Sequence, residues 1–223
     1  MTHRKGSNSI IALQDVRLNR ASQISIPNHK FFIKNSNTLT GIPKAWKAEL
    51  IDSDCPEEIS VLMEDDFNHK FILINVYHRP RKDIPDSLLE HMSNVVTEYK
   101  NLPIFIVGDF NAPHESFGSR TTSRAGDKLS DWILDTGMKN IKSESPTYYS
   151  NSKSGAWNIL DLIIVNDKAE KVIDNVSQGR DLGSDHIPFL IDLKFKSKTG
   201  KFQITKINRH NQRLCTRNKP GHL

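Results

Sequence analysis

Short, β-rich apolar runs outnumber the helical segments in this chain, and that imbalance limits its fold more than any other feature. IIALQDVRL (10–18), KFFIK around Phe31 and Phe32, EISVLME around Val61, KFILINVYH (70–78), PIFIVGDFN (103–111), NILDLIIV (158–165) and HIPFLIDLKF (186–195) all read as strands. Pro103 is tolerated at the start of its run. Two stretches switch to helical period. In DSLLEHMSNVVTEYK, residues Leu88, Leu89, Met92, Val95, Val96 and Tyr99 share one face, with Asp86 as N-cap. A second helix is expected over about 125–136, with Leu129, Trp132 and Ile133 inside and Gly137 as terminator. Helices are too few to cross over between successive strands. The chain should therefore fold as packed mixed or antiparallel sheets with helices outside, not as a doubly wound parallel sheet.

A length of 223 residues suits one large domain. After the basic start MTHRKGSNS, only residues 10–13 form an apolar run, far too short for a signal-peptide core or a membrane span. Cys55 and Cys215 read as reduced thiols of an intracellular protein, nuclear or cytoplasmic, and no CxxC suggests zinc. The net charge of +5 is uneven. From Lys194 onward there are nine Lys or Arg and no acid, which leaves roughly −4 on the rest. The expected division is a folded domain over 1–195 and a basic, flexible tail over 196–223. Such a tail serves either a polyanion, through counterion release, or solubility alone. The expected state is monomeric, away from membranes.

Several strands carry polar residues at their tips that a core would not choose. These are Gln14 and Asp15, Asn75 and Tyr77, Asp109 and Asn111, Asp161, and the run Ser184-Asp185-His186. Singly, each has a bland reading: a turn cap, an Asx-turn, a satisfied half-buried histidine. Together they offer hard oxygen ligands and an imidazole without thiolates, which selects Mg²⁺ or Mn²⁺. That set suits in-line attack of water on a phosphodiester. A carboxylate activates the water, and an imidazole kept protonated by a second carboxylate steadies the phosphate.

LQD, VYHRP, GDFNAPH, the pair PTYYS and LDLIIV, and GSDHIPF, in that order over about 10–195, resemble the endonuclease/exonuclease/phosphatase superfamily. Within it, they are similar to the endonuclease domain of non-LTR retrotransposons of the long interspersed element type. The resemblance implies an α/β fold of α+β type: a four-layer sandwich of two packed mixed β-sheets flanked by helices. It also implies DNA as partner and Mg²⁺ or Mn²⁺ as cofactor. Asp15 would occupy the metal-binding position, with Asp185 near the metal. Tyr77 would touch the scissile phosphate, Asp109 would activate water, and Asn111 would bind phosphate. Asp161 would support His186, which would stabilise the pentacoordinate phosphate. Thr147 and Ser184 match positions near the DNA or the catalytic residues. Arg120 and Arg124 in SFGSRTTSRAG are DNA-contact candidates, or a solvated loop.

Two departures stand out. Asp15 replaces the family's usual Glu, shortening its reach by about 1.5 Å and predicting weaker metal binding. The family's first strand, tipped by Asn, and its following helix have no counterpart before Ile10, as in a truncated copy, and residues 35–55 match poorly. The leading function is a DNA endonuclease that nicks a target for a separately encoded reverse transcriptase. The alternatives are an inactive remnant that at most binds nucleic acid, and another phosphoesterase such as a phosphoinositide phosphatase or sphingomyelinase.

Overall fold

In the computed structural model, which describes residues 9–16, 24–34, 37–150, 155–195 and 201–208, the apolar runs pair into two six-stranded sheets. The chain begins in the first sheet with β1 (Ser9–Gln14), β2 (His29–Lys34) and β3 (Thr38–Pro43). It crosses to the second sheet through β4 (Lys47–Ile51), β5 (Glu58–Glu64) and β6 (Lys70–Tyr77), then helix α1 (Asp86–Glu98) and β7 (Ile104–Asp109). Helix α2 (Arg124–Thr136) and β8 (Lys139–Asn140) follow, then a small hairpin of β9 (Tyr148–Tyr149) and β10 (Trp157–Asn158), and β11 (Asp161–Val165). A single turn, α3 (Asp167–Glu170), leads back to the first sheet, completed by β12 (Ile173–Gln178), β13 (Phe189–Lys194) and β14 (Lys201–Asn208). Strand order is β12-β13-β14-β1-β3-β2 in the first sheet and β4-β5-β6-β7-β11-β8 in the second. Both are mixed, because β1–β14 and β6–β7 are parallel.

The strand period of two sorts the core into two layers. Phe71, Leu73, Phe105, Val107, Ile163 and Val165 face the first sheet and meet Ile10, Ala12, Ile42, Phe189, Ile191 and Leu193. Their neighbours Ile72, Ile74, Val76, Ile104, Ile106, Leu162 and Ile164 face outward and are covered by Leu88, Met92 and Val95 of α1 and by Leu129, Trp132 and Ile133 of α2. Burial on both faces is why β6 and β7 read as continuous apolar runs without alternation. Among the described residues, α1 and α2 are the only helices longer than a turn, and both pack on the second sheet.

The helix boundaries follow the sequence reading closely, but the first cap does not. Pro85 is the N-cap of α1 and makes no side-chain cap bond. Asp86 instead accepts a hydrogen bond from Lys128 Nζ at 2.6 Å, tying α1 to α2, and the lysine holds its carboxyl below the ordinary range. α2 is capped by Ser123, whose hydroxyl accepts from Gly126 N, and ends at Gly137 in the left-handed region (φ 67°). Cys55 is buried; Cys215 lies outside the described residues. Among the described residues, no helix is long and apolar enough to cross a membrane.

Strand β14 lies in the segment read from sequence as a basic tail. It fills the position between β13 and β1, with Cα partners running from Ser9↔Gln203 to Gln14↔Asn208 on one side and from Leu190↔Thr205 to Lys194↔Lys201 on the other. The sheet has no gap beside β1. The poorly matching residues 35–55 supply β3, buried along its whole length, and β4.

Candidate active site

Strand register brings the polar tips together. Asp161 pairs directly with Asp109 across the antiparallel β7–β11 ladder, and Tyr77 pairs with Asp109 across the parallel β6–β7 ladder. His186, just before β13, reaches the same end of the sandwich and forms an isolated bridge with Tyr148. Its Nδ1 lies 2.8 Å from Asp161 Oδ2, and its Nε2 lies 3.8 Å from Asp109 Oδ2. One ligand atom from each of the three falls within 4.8 Å of the others. Asp109 and Asp161 are 2% and 1% exposed, so the imidazole–carboxylate hydrogen bond operates where water screens it little.

Asp161 is itself positioned from behind. The hydroxyl of Thr147 accepts the backbone N–H groups of Leu160 (3.0 Å) and Asp161 (3.1 Å). Thr147 is fully buried and is not among the residues lining the cavity; of the two places expected for it, near the DNA or near the catalytic residues, it takes the second, behind Asp161.

Asp15 and Asn111 sit at strand ends with left-handed backbone, φ 51° and 44°. Asp and Asn tolerate this conformation better than other non-glycine residues. The turn at Asn111 is closed by its own N–H donating to Asp109 Oδ1 at 3.1 Å. Asp15, Tyr77, Asp109, Asn111, Asp185 and His186 line one cavity of about 630 Å³. Beneath Asp15, Gln14 Nε2 donates to Asn75 Oδ1, and Asn75 Nδ2 donates to Leu39 O at 3.0 Å and Thr40 Oγ1 at 3.1 Å. Asn75 thus clamps the two sheets together inside the core; it does not face the cavity.

The remaining candidates divide. Arg124 lines the cavity wall, with Nε 3.3 Å from Asp83 Oδ2. Arg120 stands outside it, stacked on Trp157 with the guanidinium carbon 4.8 Å from the ring centroid. Ser184 lines a neighbouring groove with Tyr149 and Gln178, and its hydroxyl accepts from His186 N at 3.2 Å. The cavity residues not anticipated as such include Tyr148, whose ring centroid is 5.0 Å from that of His186, and Arg81 and Lys82.

His78 was not anticipated either. It is fully buried, its N–H donates to Asp109 O (2.8 Å), and its carbonyl accepts from Asn111 Nδ2 (2.8 Å). Its ring faces two acceptors: Nδ1 lies 2.8 Å from Glu57 Oε2, and Nε2 lies 3.0 Å from the Lys82 carbonyl. Satisfying both requires a proton on each nitrogen, an imidazolium. Burial alone pushes its pKa down, but the Glu57 carboxylate, the Lys82 carbonyl and the Asp109 charge outweigh burial and hold it above the ordinary value. The VYHRP run carried a hint, since a histidine directly after a buried strand must find partners; the Lys82 carbonyl lies four residues on, and Glu57 comes from elsewhere in the fold.

With this geometry in view, comparison with known proteins identifies the family. Residues 71–190, more than half of the chain, match the family described as endonuclease–reverse transcriptase. The chain belongs to that family. This endonuclease–reverse transcriptase family member is similar over 90 residues, at 30% identity, to a probable RNA-directed DNA polymerase from transposon BS of Drosophila melanogaster. The match covers 40% of the chain and 10% of the relative, so the chain spans about a tenth of that relative's length. Its fold matches the endonuclease domain of TRAS1, a telomere-specific non-LTR retrotransposon, with a TM-score of 0.67 and 17% identity, covering 77% of this chain and 83% of the other. The chain is thus a retrotransposon endonuclease-like domain of the endonuclease/exonuclease/phosphatase superfamily, and its two packed mixed sheets are the expected fold.

Proposed function

We infer that this domain is a divalent-metal-dependent DNA endonuclease that nicks one strand of a target. The observation that carries this reading is the line Asp161–His186–Asp109 at the floor of a cavity that also holds Asp15, Asp185, Tyr77 and Asn111. Asp109 takes the proton of the attacking water or orients it. His186, turned by its Nδ1 contact with Asp161, donates its Nε2–H to a non-bridging phosphate oxygen. Asn111 Nδ2 has one hydrogen on the His78 carbonyl, and its second is left for the phosphate. The Tyr77 hydroxyl steadies the same group.

The oxygen donors of the cavity, with no thiolate among its lining residues, fit Mg²⁺ or Mn²⁺. Asp15 and Asp185 are assigned to hold the ion, because His186 Nδ1 is committed to Asp161 and cannot also bind a metal. A bound cation there supplies charge neutralisation at the phosphate oxygens. The domain is read as running through β14, with the basic residues beyond adding affinity for DNA.

The test is relaxation of supercoiled plasmid with Mg²⁺, with EDTA, and with Asp109→Ala. Nicking that needs the metal and vanishes in the variant supports the endonuclease. Absence of nicking in the unaltered chain, despite a cooperative melt, supports instead a folded remnant that binds DNA without cutting it.

A further inference from the structure

We propose that the loop of residues 79–82 forms a second anion subsite, which holds a backbone phosphate of the DNA strand beside the one that is cut. This rests on the endonuclease reading. The cavity is electrically divided. Its floor carries Asp15, Asp109, Asp185 and His186, and its wall carries Arg81, Lys82 and Arg124 with Asp83. Arg124 is paired to Asp83. Among the described residues, no carboxylate lies within the 4.0 Å ion-pair distance of Arg81 or Lys82, and both are exposed. Two cations with no carboxylate partner among the described residues, facing the space where a phosphodiester must lie, suit a second phosphate of the same polymer. A small neutral ligand would not use them.

The loop is built and held, not merely charged. Arg81 has φ 61°, a left-handed conformation that costs a non-glycine residue about 1–2 kcal/mol. Strain of this kind persists only where the surroundings impose it. Here the surroundings are His78. Its Nε2–H holds the Lys82 carbonyl, its Nδ1–H holds Glu57, and its main chain is bonded on both sides to Asp109 and Asn111. The basic wall and the water-activating carboxylate are therefore fixed to one buried residue, so the spacing between the cut phosphate and its neighbour is set by the fold. His78 is the positioning residue; Arg81 and Lys82 make the contact.

The experiment measures fluorescence anisotropy of a short labelled DNA duplex binding to the full chain across a salt series, with Ca²⁺ replacing Mg²⁺ to prevent cutting. Losing the phosphate that the two side chains hold in Arg81→Ala/Lys82→Ala should reduce the slope of log affinity against log salt by about one and weaken binding about tenfold at moderate salt. The charge-preserving exchange Arg81→Lys/Lys82→Arg should recover most of the slope. Lys100→Ala, exposed and outside the cavity lining, should bind as the unaltered chain does. If the alanines lower the melting temperature, Arg81→Gln/Lys82→Gln repeats the measurement with the side-chain stems kept. A double variant on the unaltered slope, in a chain that binds duplex, overturns the subsite alone. A chain that binds no duplex at any salt overturns the subsite and the endonuclease reading together.

Discussion

Gly108, the glycine of GDFN, has no room for a side chain, and the consequence can be worked from the structure. A Cβ at this position would lie 2.0 Å from the Val76 carbonyl oxygen, 2.8 Å from its carbon and 2.9 Å from its nitrogen, where ordinary contacts run 3.4–4 Å. All three are main-chain atoms of the neighbouring parallel strand, so no side chain can swing aside. Gly108→Ala must push β7 away from β6 by more than 1 Å, roughly the shortfall in contact distance. Overpacking of this kind costs about 1–3 kcal/mol when side chains can adjust, and about 3 kcal/mol or more is expected where backbone must move. For a chain of this size that lowers the melting temperature by about 6–12 °C. The strain falls beside the Tyr77↔Asp109 pair, where a displacement near 1 Å is worth about a hundredfold in rate. Gly137→Ala is the comparison, because there a Cβ meets nothing within 4 Å and the cost is only left-handed strain of about 1–2 kcal/mol. Melting followed by circular dichroism, with nicking rates taken well below either midpoint, makes the test. If Gly108→Ala melts within about 2 °C of the unaltered chain, the reasoning is wrong.

Other expectations follow from single contacts. Asp161→Asn keeps the shape but removes the carboxylate that orients His186 through Nδ1, and nicking should fall about 10–100-fold with little change in melting. Thr147→Val leaves two buried N–H groups, those of Leu160 and Asp161, without their acceptor, and should cost about 2 kcal/mol or more in urea titrations. Burial lowers the pKa of His91, so on acidification below about 6.5 the unfolded chain takes up a proton before the folded one does. The contribution of His91 to stability should therefore drop as pH falls through that window, opposite in sign to that of His78, and the change in the stability difference between the unaltered chain and His91→Gln across the window measures it. The backbone amides of β14 should exchange with deuterium as slowly as those of β1 and β13; exchange at the rate of a free tail would mean the strand is not part of the sheet.

Much of this was readable from residue order because the relevant signals are local. The period of α2, the apolar runs of β6 and β7, and Asp109 at a strand tip need no distant partner to be recognised. What escaped depends on distant partners. β3 carries Thr, Gly and Pro, which read as loop, yet it is wholly buried because β1 and β2 flank it on both sides. β14 looks like a basic tail by charge, and only pairing with β13 and β1 makes it a central strand. At the site, the family position of Thr147 pointed only to the neighbourhood of the DNA or the catalytic residues. The structure buries it behind Asp161, since two main-chain N–H groups there need an acceptor. His78 escaped partly for the same reason as β14, because the fold brings Glu57 to its ring, although its other partner, the Lys82 carbonyl, is only four residues on.

The account stands on oxygen donors from separate strands meeting at one divalent cation, with the imidazole opposite it and not among its ligands. Titration of Mn²⁺ into the chain, read by loss of the free-ion electron paramagnetic signal, tests this directly. One tight site per chain is expected. It should weaken by about tenfold or more in Asp15→Ala and in Asp185→Ala and persist in His186→Ala, which nevertheless stops nicking. Binding that survives loss of both aspartates, or that disappears with His186, would put the ion among Asp109, Asp161 and His186 and contradict the assignment.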